Sequence, residues 1–244
     1  MIITGASRGI GAATAKLAAS QGFAVCVNYK SHPKEAHAVV EEINDNGGSA
    51  ISVKADVTVA NEVKHLFAET VKSYGGLHAL VNNAGILETQ MRLEDMSSDR
   101  IQRIFNANVF STILCIQEAI KLMSIRKQGS GGSIVNVSSV ASRLGSPFEY
   151  VDYAASKGAI DTLTIGLAKE LAIDGIRVNA VRPGYIDTDI HASGGDPHRI
   201  ERLKQQIPLQ RGGSVAEVAS AIVWLASEES SYTSASFIEV AGGN

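Results

Sequence analysis

The 244-residue sequence predicts an α/β fold, a single-domain doubly wound parallel sheet with helices on both faces. Apolar segments of strand length alternate with segments of helix length along the chain, a pattern typical of parallel strands joined by right-handed crossovers. At the start, a strand, a Gly-rich turn and a helix follow one another, the order of a phosphate-binding unit. No repeat, low-complexity tract or linker interrupts the alternation, so residues 1–244 are predicted to form one domain.

Composition and charge are those of an ordinary soluble protein, with 45% hydrophobic and 19% charged residues and a net charge of −3. Acidic and basic residues are interspersed, so no nucleic-acid partner and no membrane surface is predicted. The sequence shows neither a leader pattern nor an apolar run of membrane-spanning length, which favours a cytoplasmic protein. Cys26 and Cys115 lie far apart in apolar runs, which indicates buried thiols in a reducing compartment rather than a disulfide or metal site.

The first elements are a strand over residues 1–3, a Gly-rich turn over 4–11 and an Ala-rich helix to about Ser20. Glycine lets the backbone approach an anion, and the first N–H groups of a helix have no partner within the helix, so this turn is expected to bind phosphate. The alternative is a turn without a ligand. Three residues make a short strand, so it is expected to be clipped or to begin further upstream.

The next strand, over residues 23–29, is nearly continuously apolar, as in a sheet covered on both faces. It ends at Tyr29, Lys30 and Ser31 without the acid that holds ribose hydroxyls in many dinucleotide-binding folds, and Arg8 lies in the Gly-rich turn. Because a basic residue there accommodates a 2′-phosphate, NADP(H) is preferred over NAD(H). Alternatively, Arg8 and Lys30 are solvated surface charges.

Helices over 33–46 and 59–74 and strands over 50–54 and 77–81 continue the alternation. Polar or small residues follow the last two strands directly, and ligands bind in open α/β sheets at such strand ends. These candidates are Asp56, Val57, Asn83, Ala84 and Gly85. For Asp56, capping of the next helix is an equally good interpretation.

A long helix over residues 99–125 carries Asn106 and Asn108 within an apolar run. A buried amide needs hydrogen-bond partners, so each is either functional or the brace of a neighbouring loop. The strand that follows, over 133–137, ends at Ser138 and Ser139.

Tyr153 and Lys157 stand four residues apart on a helix that runs to about Ala172, and they share one helix face. A neighbouring cation favours the phenolate and lowers the pKa of the phenol, which can then exchange a proton with a carbonyl or alcohol oxygen. The spacing alone is equally typical of a solvated helix face.

The remaining elements are a strand over 176–181 that stops before Pro183 and Gly184, an irregular segment over 185–213, a helix over 214–226 and a strand over 237–240. We call residues 185–213 the lid segment, because long irregular segments at this edge of a sheet often cover a binding site. A surface excursion without a substrate role is the alternative. The lid residues His191 and Asp196 could meet sugar hydroxyls or face water.

Taken together, these residues resemble the short-chain dehydrogenase/reductase family over essentially the whole chain. The resemblance rests on Thr4-Gly5-x-x-x-Gly9-x-Gly11, Asn82-Asn83-Ala84-Gly85, Asn108, Ser139, Tyr153-x-x-x-Lys157 and Pro183-Gly184, in the family's order and approximate spacing. Among its members, bacterial glucose 1-dehydrogenases and 3-oxoacyl-carrier-protein reductases look most similar. The resemblance implies a Rossmann fold, hydride transfer between NADP(H) and a secondary alcohol/carbonyl pair, and a homotetramer or dimer.

The resemblance also implies roles for individual residues. Tyr153 would be the general acid/base, Lys157 would lower its pKa and bind the nicotinamide ribose, Ser139 would hydrogen-bond the substrate oxygen, and Asn108 would hold a water in a proton relay. The cofactor would lie along Gly5, Ser7, Arg8, Gly9, Ile10 and Gly11 at the pyrophosphate and adenosine, Asp56 and Val57 at the adenine, Asn83, Ala84 and Gly85 at the ribose, and Pro183, Gly184, Ile186 and Thr188 at the nicotinamide.

Two departures from the family pattern carry expectations. One extra residue between Ser139 and Tyr153 puts the stretch 148–152 where it could shape the substrate mouth. Ala235 stands where many relatives have glycine, so it is strained if the position needs a positive φ. Two alternatives to a general ketone or alcohol substrate stay open: an aldose such as glucose, and a regulator that senses NADP(H) without turning it over.

Overall fold

The computed structural model describes residues 1–188, 192 and 194–244. Within these residues the strands are β1 (Ile2–Ile3), β2 (Ala24–Tyr29), β3 (Ser49–Lys54), β4 (Ala79–Asn82), β5 (Gly132–Val137), β6 (Ile176–Pro183) and β7 (Phe237–Val240). Across the described part of the chain they form one seven-stranded sheet in the order β3-β2-β1-β4-β5-β6-β7, and all neighbouring pairs are parallel. The predicted α/β fold with a doubly wound parallel sheet is therefore confirmed.

Helices cover both faces of the sheet. They are α1 (Gly9–Ser20), α2 (Pro33–Asp45), α3 (Ala60–Tyr74), α4 (Ser98–Phe105), α5 (Ser111–Met123), α6 (Ala141–Leu144), α7 (Val151–Glu170), α8 (Arg199–Leu203) and α9 (Val215–Ala226). Buried residues of α1, α2 and α9 form one core with the sheet, and those of α3, α5 and α7 form the other. Because side chains alternate across a strand, Ile3 packs into the first core and Ile2 into the second.

β1 is an interior strand of the sheet although it has two residues. Ile2 and Ile3 are both 0% exposed and pair with β2 on one side and β4 on the other. The strand order reverses direction between β1 and β4, which makes this pair the topological switch point of the sheet. Ligands of open α/β sheets bind outside the carboxyl ends of the strands at such a point.

Most predicted elements are found with ends shifted by one or two residues, but the predicted helix over 99–125 is interrupted. A π-helical turn over Asn106–Phe110 separates α4 from α5 and brings Asn108 to a buried position. Such turns insert one residue into the helical ladder and are frequent at functional sites.

The lid segment is less irregular than predicted. It contains α8, a 3₁₀ turn at Lys204–Gln206 and an isolated parallel bridge between Ile186 and Gly213. His191 lies outside the described residues, as do positions 189, 190 and 193. The four-residue helix α6, which begins four residues after the end of β5, was not predicted from the sequence.

Candidate active site

The Gly-rich turn leaves β1 at the switch point and forms one wall of a cavity. Gly5 and Gly9 have φ angles of +60° and +57°, which residues with a side chain rarely adopt. Arg8, the N-cap of α1, makes no side-chain bond to the first-turn amides, so those amides stand at the positive end of a 12-residue helix. Gly11 lies beneath the turn, where a Cβ would come within 2.5 Å of the Asn83 Nδ2 atom. The turn therefore fits a cofactor pyrophosphate.

Asn83 ties the end of β4 to this turn. Its Nδ2 atom donates to the carbonyl oxygens of Thr4 at 2.9 Å and Gly5 at 3.0 Å. The Thr4 hydroxyl in turn accepts from the main-chain N–H groups of Asn83 and Ala84, both at 3.0 Å. The two strands that flank the switch point are thereby fixed to each other at the floor of the cavity.

The far end of this cavity carries an ion pair. Lys30 Nζ lies 2.7 Å from an Asp56 carboxylate oxygen, and Thr58 donates to the same carboxylate through its N–H and its hydroxyl. Partial burial alone would raise the pKa of Asp56, but the bonds from Lys30 and Thr58 lower it below its ordinary value. The N-cap of α3 is Val59, so the interpretation of Asp56 as the helix cap is wrong.

Asn108 braces the loop that follows β4. Its Oδ1 atom accepts from the N–H of Ile86 at 2.8 Å, and its Nδ2 atom donates to the carbonyl of Ile86 and the hydroxyl of Ser156, both at 3.1 Å. Of the two roles predicted for this buried amide, Asn108 thus has that of a brace for a neighbouring loop. Gly85 stands beside it, where a Cβ would lie 3.2 Å from Asn108 Oδ1 and 3.7 Å from Lys157 Nζ.

Tyr153, Lys157 and Ser139 meet in a second cavity of about 160 Å³ at the carboxyl end of β5. The Ser139 hydroxyl lies beside the Tyr153 phenol, close enough to influence its pKa. Lys157 Nζ donates to the carbonyl of Val137 at 2.7 Å and lies 5.6 Å from the centroid of the Tyr153 ring. A carbonyl oxygen that enters this cavity would therefore meet a phenol and a hydroxyl together.

The pKa values of these groups are shifted by burial. Burial raises the pKa of Tyr153 to about 12, and the neighbouring Ser139 hydroxyl opposes the shift in part. Burial lowers the pKa of Lys157 to about 8, against the attraction of the Asp161 carboxylate. The sequence predicted a lowered pKa for Tyr153; the net direction is opposite, because desolvation of the phenolate outweighs the favourable contacts.

The two serines at the end of β5 have different surroundings. The Ser138 hydroxyl donates to an Asp161 carboxylate oxygen at 2.6 Å and is 2% exposed as a residue. Ser139 is partly exposed and its hydroxyl accepts from the N–H of Ala141 at 3.1 Å, beside the Tyr153 phenol. The geometry thus favours Ser139, the choice made from the sequence, as the serine that meets a substrate.

The two cavities adjoin, and they bring the predicted residues together. Five residues line both of them: Ile10, Asn83, Gly85, Leu87 and Thr188. The first cavity, at the Gly-rich turn, is also lined by Gly5, Ser7, Arg8, Gly9, Lys30, Asp56, Val57 and Ala84. The second is also lined by Ser139, Tyr153, Lys157, Pro183, Gly184 and Ile186. Of the predicted site residues, Gly11 and Asn108 stand behind the walls.

A buried ion pair that no sequence pattern indicates lies behind Tyr153. Arg100 of α4 donates from Nε to Asp152 Oδ2 at 2.8 Å and from Nη1 to the carbonyl of Thr89 at 2.6 Å. Asp152 Oδ1 accepts from the N–H of Tyr153 at 2.8 Å. The partners are 52 residues apart in sequence, and no local pattern marks either of them.

Within the part of the chain that the structure describes, no group of three or more His, Cys, Asp or Glu side chains could hold a metal ion. In the same residues, no helix has the length and apolar character needed to cross a membrane.

Comparisons with known proteins agree with this geometry. A family model described as enoyl-(acyl carrier protein) reductase matches residues 5–244. The uncharacterised oxidoreductase YgfF of Escherichia coli (strain K12) is 55% identical over 242 residues, which are 99% of this chain and 98% of that protein. The 3-oxoacyl-[acyl-carrier-protein] reductase FabG of Staphylococcus aureus (strain Mu50) is 38% identical over 99% of this chain and 96% of its own length.

A solved protein structure is similar to this chain over nearly its whole length. The crystal structure of a dehydrogenase/reductase from Sinorhizobium meliloti 1021 superposes with a TM-score of 0.92 at 33% sequence identity, covering 99% of this chain and 93% of its own. The family match, the relatives and this fold agree over nearly the whole chain, so the chain belongs to the short-chain dehydrogenase/reductase family of oxidoreductases.

Proposed function

We propose that the protein is an NADP(H)-dependent oxidoreductase that interconverts a carbonyl and a secondary alcohol, with Tyr153 as general acid/base. One observation carries the proposal: the Tyr153 phenol, the Ser139 hydroxyl and the Lys157 ammonium line a cavity that adjoins the cavity at the Gly-rich turn. A phosphate-binding turn and a proton donor are both needed for hydride transfer from a dinucleotide, and here they line adjoining cavities.

In the reducing direction, Ser139 and Tyr153 would hold the substrate oxygen by hydrogen bonds. When bound, the nicotinamide supplies a hydride to the carbonyl carbon, or accepts one from the alcohol in the reverse direction. Tyr153 transfers its proton to the oxygen as negative charge develops there. The raised pKa of Tyr153 keeps that proton on the phenol at neutral pH, which suits its role as the acid of the reduction.

The cofactor preference is supported by the basic residues of the first cavity. Arg8 and Lys30 line it near the turn and the end of β2. Lys30 is already paired with Asp56, and its side chain is 68% exposed, so a 2′-phosphate could take over its charge without burying it. Because Lys30 is paired with Asp56, the alternative that it is only a solvated charge does not fit this residue.

The proposal also includes a homotetramer or dimer in the cytoplasm. Phe110, in the π-helical turn, is 56% exposed and Ile165 of α7 is 42% exposed. Apolar side chains at such positions are compatible with a second copy packing on these helices.

The deciding experiment follows oxidation of NADPH and of NADH by the purified protein with a panel of ketones, ketoesters and an enoyl thioester, together with NADP⁺ and aldoses or secondary alcohols. Tyr153→Phe is expected to lower kcat by about 10²–10⁴-fold, since it removes the proton that general acid catalysis requires. Cofactor affinity, measured by NADPH fluorescence, should stay within a few-fold.

Tyr232→Phe is the matched control, because Tyr232 is fully exposed and away from the cavity. It should leave kcat unchanged. Near-normal turnover by Tyr153→Phe would refute the role of Tyr153. Tight NADPH binding without turnover of any panel member would favour the regulator that senses NADP(H).

A further inference from the structure

Arg199 of α8 places a buried cation in the wall of the second cavity. The residue is 6% exposed, and its guanidinium carbon lies 5.1 Å from the ring centroid of Tyr150 and 5.5 Å from that of Tyr185. Both rings line the same cavity. The cation is therefore fixed where the part of a substrate beyond its carbonyl would lie.

Glu149 neutralises this cation. Both terminal nitrogens of Arg199 donate to the Glu149 carboxylate, one at 3.1 Å to Oε1 and the other to Oε2. Asp196 also lies near Arg199, but its carboxylate accepts a hydrogen bond from Arg202. Arg202 is therefore paired with Asp196, and Arg199 is paired with Glu149.

Lys157 is the other cation among the described residues that line this cavity. It donates to the carbonyl of Val137, behind the reacting end, so it acts equally on any substrate carbonyl. The lining of this cavity also includes the apolar side chains of Leu87, Val140, Leu144 and Ile186. A substrate carboxylate would lose its hydration here without gaining an unpaired cation, which is unfavourable.

We propose that the Glu149–Arg199 pair makes this site selective for neutral carbonyl substrates over their carboxylate counterparts, and that Glu149 is the residue that determines this selectivity. The inference rests on the proposed function. Removal of the Glu149 charge would leave Arg199 as an unpaired buried cation beside the substrate, and a carboxylate could then replace Glu149 as its partner.

The test uses pairs of ketones in which an ethyl ester replaces the carboxylate: ethyl levulinate and levulinate, with ethyl acetoacetate and acetoacetate as a second pair. The wild-type protein should turn over each ester with a kcat/KM at least about tenfold above that of the acid. In Glu149→Gln, the ester-to-acid ratio should fall about tenfold, mainly through a lower KM for the acid. Glu149→Asp keeps the charge and should keep the wild-type preference.

Two further variants separate charge from structure. Glu42→Gln removes a carboxylate that pairs with Lys16 far from the cavity and should leave the ratio unchanged. The double variant Glu149→Gln/Arg199→Met removes both charges, so it should regain the ester preference even if Glu149→Gln alone is unstable.

The outcomes distinguish this inference from the function on which it rests. Turnover of the esters with an unchanged ratio in Glu149→Gln, or a wild-type protein that prefers the acids, overturns the inference and leaves the proposed function standing. Failure of the wild-type protein to turn over any carbonyl of the panel overturns the proposed function and the inference with it.

Discussion

At the residue scale, the protonation of the active site is set by removal from water. The ordinary pKa of a lysine is 10.5, and burial brings that of Lys157 to about 8. The attraction between the Lys157 ammonium and the Asp161 carboxylate limits the fall in the pKa of Lys157, since Asp161 lies one helical turn further along α7. Lys157 is therefore still protonated at neutral pH, but only by a small margin.

The lowered pKa of Lys157 predicts that the stability of the protein depends on pH. Between pH 8 and 10.5 the unfolded chain holds the Lys157 proton and the folded chain has lost it. The cost of burying the charge is present below pH 8 and is relieved as pH rises through this window. The free energy of unfolding of the wild-type protein should therefore rise relative to that of Lys157→Met, by about 3 kcal/mol in total.

Urea unfolding at several pH values measures this difference. Lys169→Met is the control, because Lys169 is an exposed lysine on the same helix. The free energy of unfolding of this control should change with pH in the same way as that of the wild-type protein. The same change with pH for Lys157→Met as well would show that the pKa of Lys157 is not lowered in the fold.

A second residue-scale prediction concerns Ala235, which has a φ of +59° as expected from the family pattern. The left-handed region costs a non-glycine residue about 1–2 kcal/mol, whereas glycine loses about 0.5–1 kcal/mol in chain entropy. Ala235→Gly should therefore stabilise the protein by about 0.5–1 kcal/mol in thermal or denaturant unfolding. Ala68→Gly, on the exposed face of α3, should destabilise it by a similar amount. If both substitutions stabilised the protein, or both destabilised it, this explanation would be contradicted.

At the scale of elements, Tyr153 is positioned by contacts between α4 and α7. The Arg100–Asp152 pair has side chains 5% and 1% exposed and also holds the carbonyl of Thr89, in the loop after β4. Because Asp152 accepts from the N–H of Tyr153, the same carboxylate fixes the start of α7. The brace formed by Asn108 acts on the same loop from the π-helical turn.

We predict that Asp152→Asn destabilises the protein by about 3 kcal/mol, because it leaves Arg100 buried without its counter-charge. Denaturant unfolding measures this change. The double variant Arg100→Met/Asp152→Leu should recover most of the loss, since both buried charges are removed. Glu88→Gln, in an exposed pair with Arg103, should change stability by less than about 1 kcal/mol. A similarly small effect of Asp152→Asn would show that the buried pair is not needed.

At the scale of the whole molecule, local patterns predicted the sheet, the Gly-rich turn and the pairing of Tyr153 with Lys157. Each of these depends on residues close together in sequence. The Arg100–Asp152 and Glu149–Arg199 pairs join residues about 50 positions apart, so no periodicity or motif could reveal them. The direction of the pKa shift of Tyr153 was missed for a related reason: it depends on burial, which only the packed fold defines.

The two-residue strand β1 has a consequence for how the protein folds. Its register joins Ile2 to Cys26 on one side and Ile2 to Leu80 on the other. These pairings close chain loops of very different length, and loops of the longer kind form slowly. The cavity at the Gly-rich turn lies between the segments that follow β1 and β4, so its two walls meet only after the longer loop has closed. An intermediate that has formed β1 and β2 alone would thus hold the Gly-rich turn without the asparagine that fixes it.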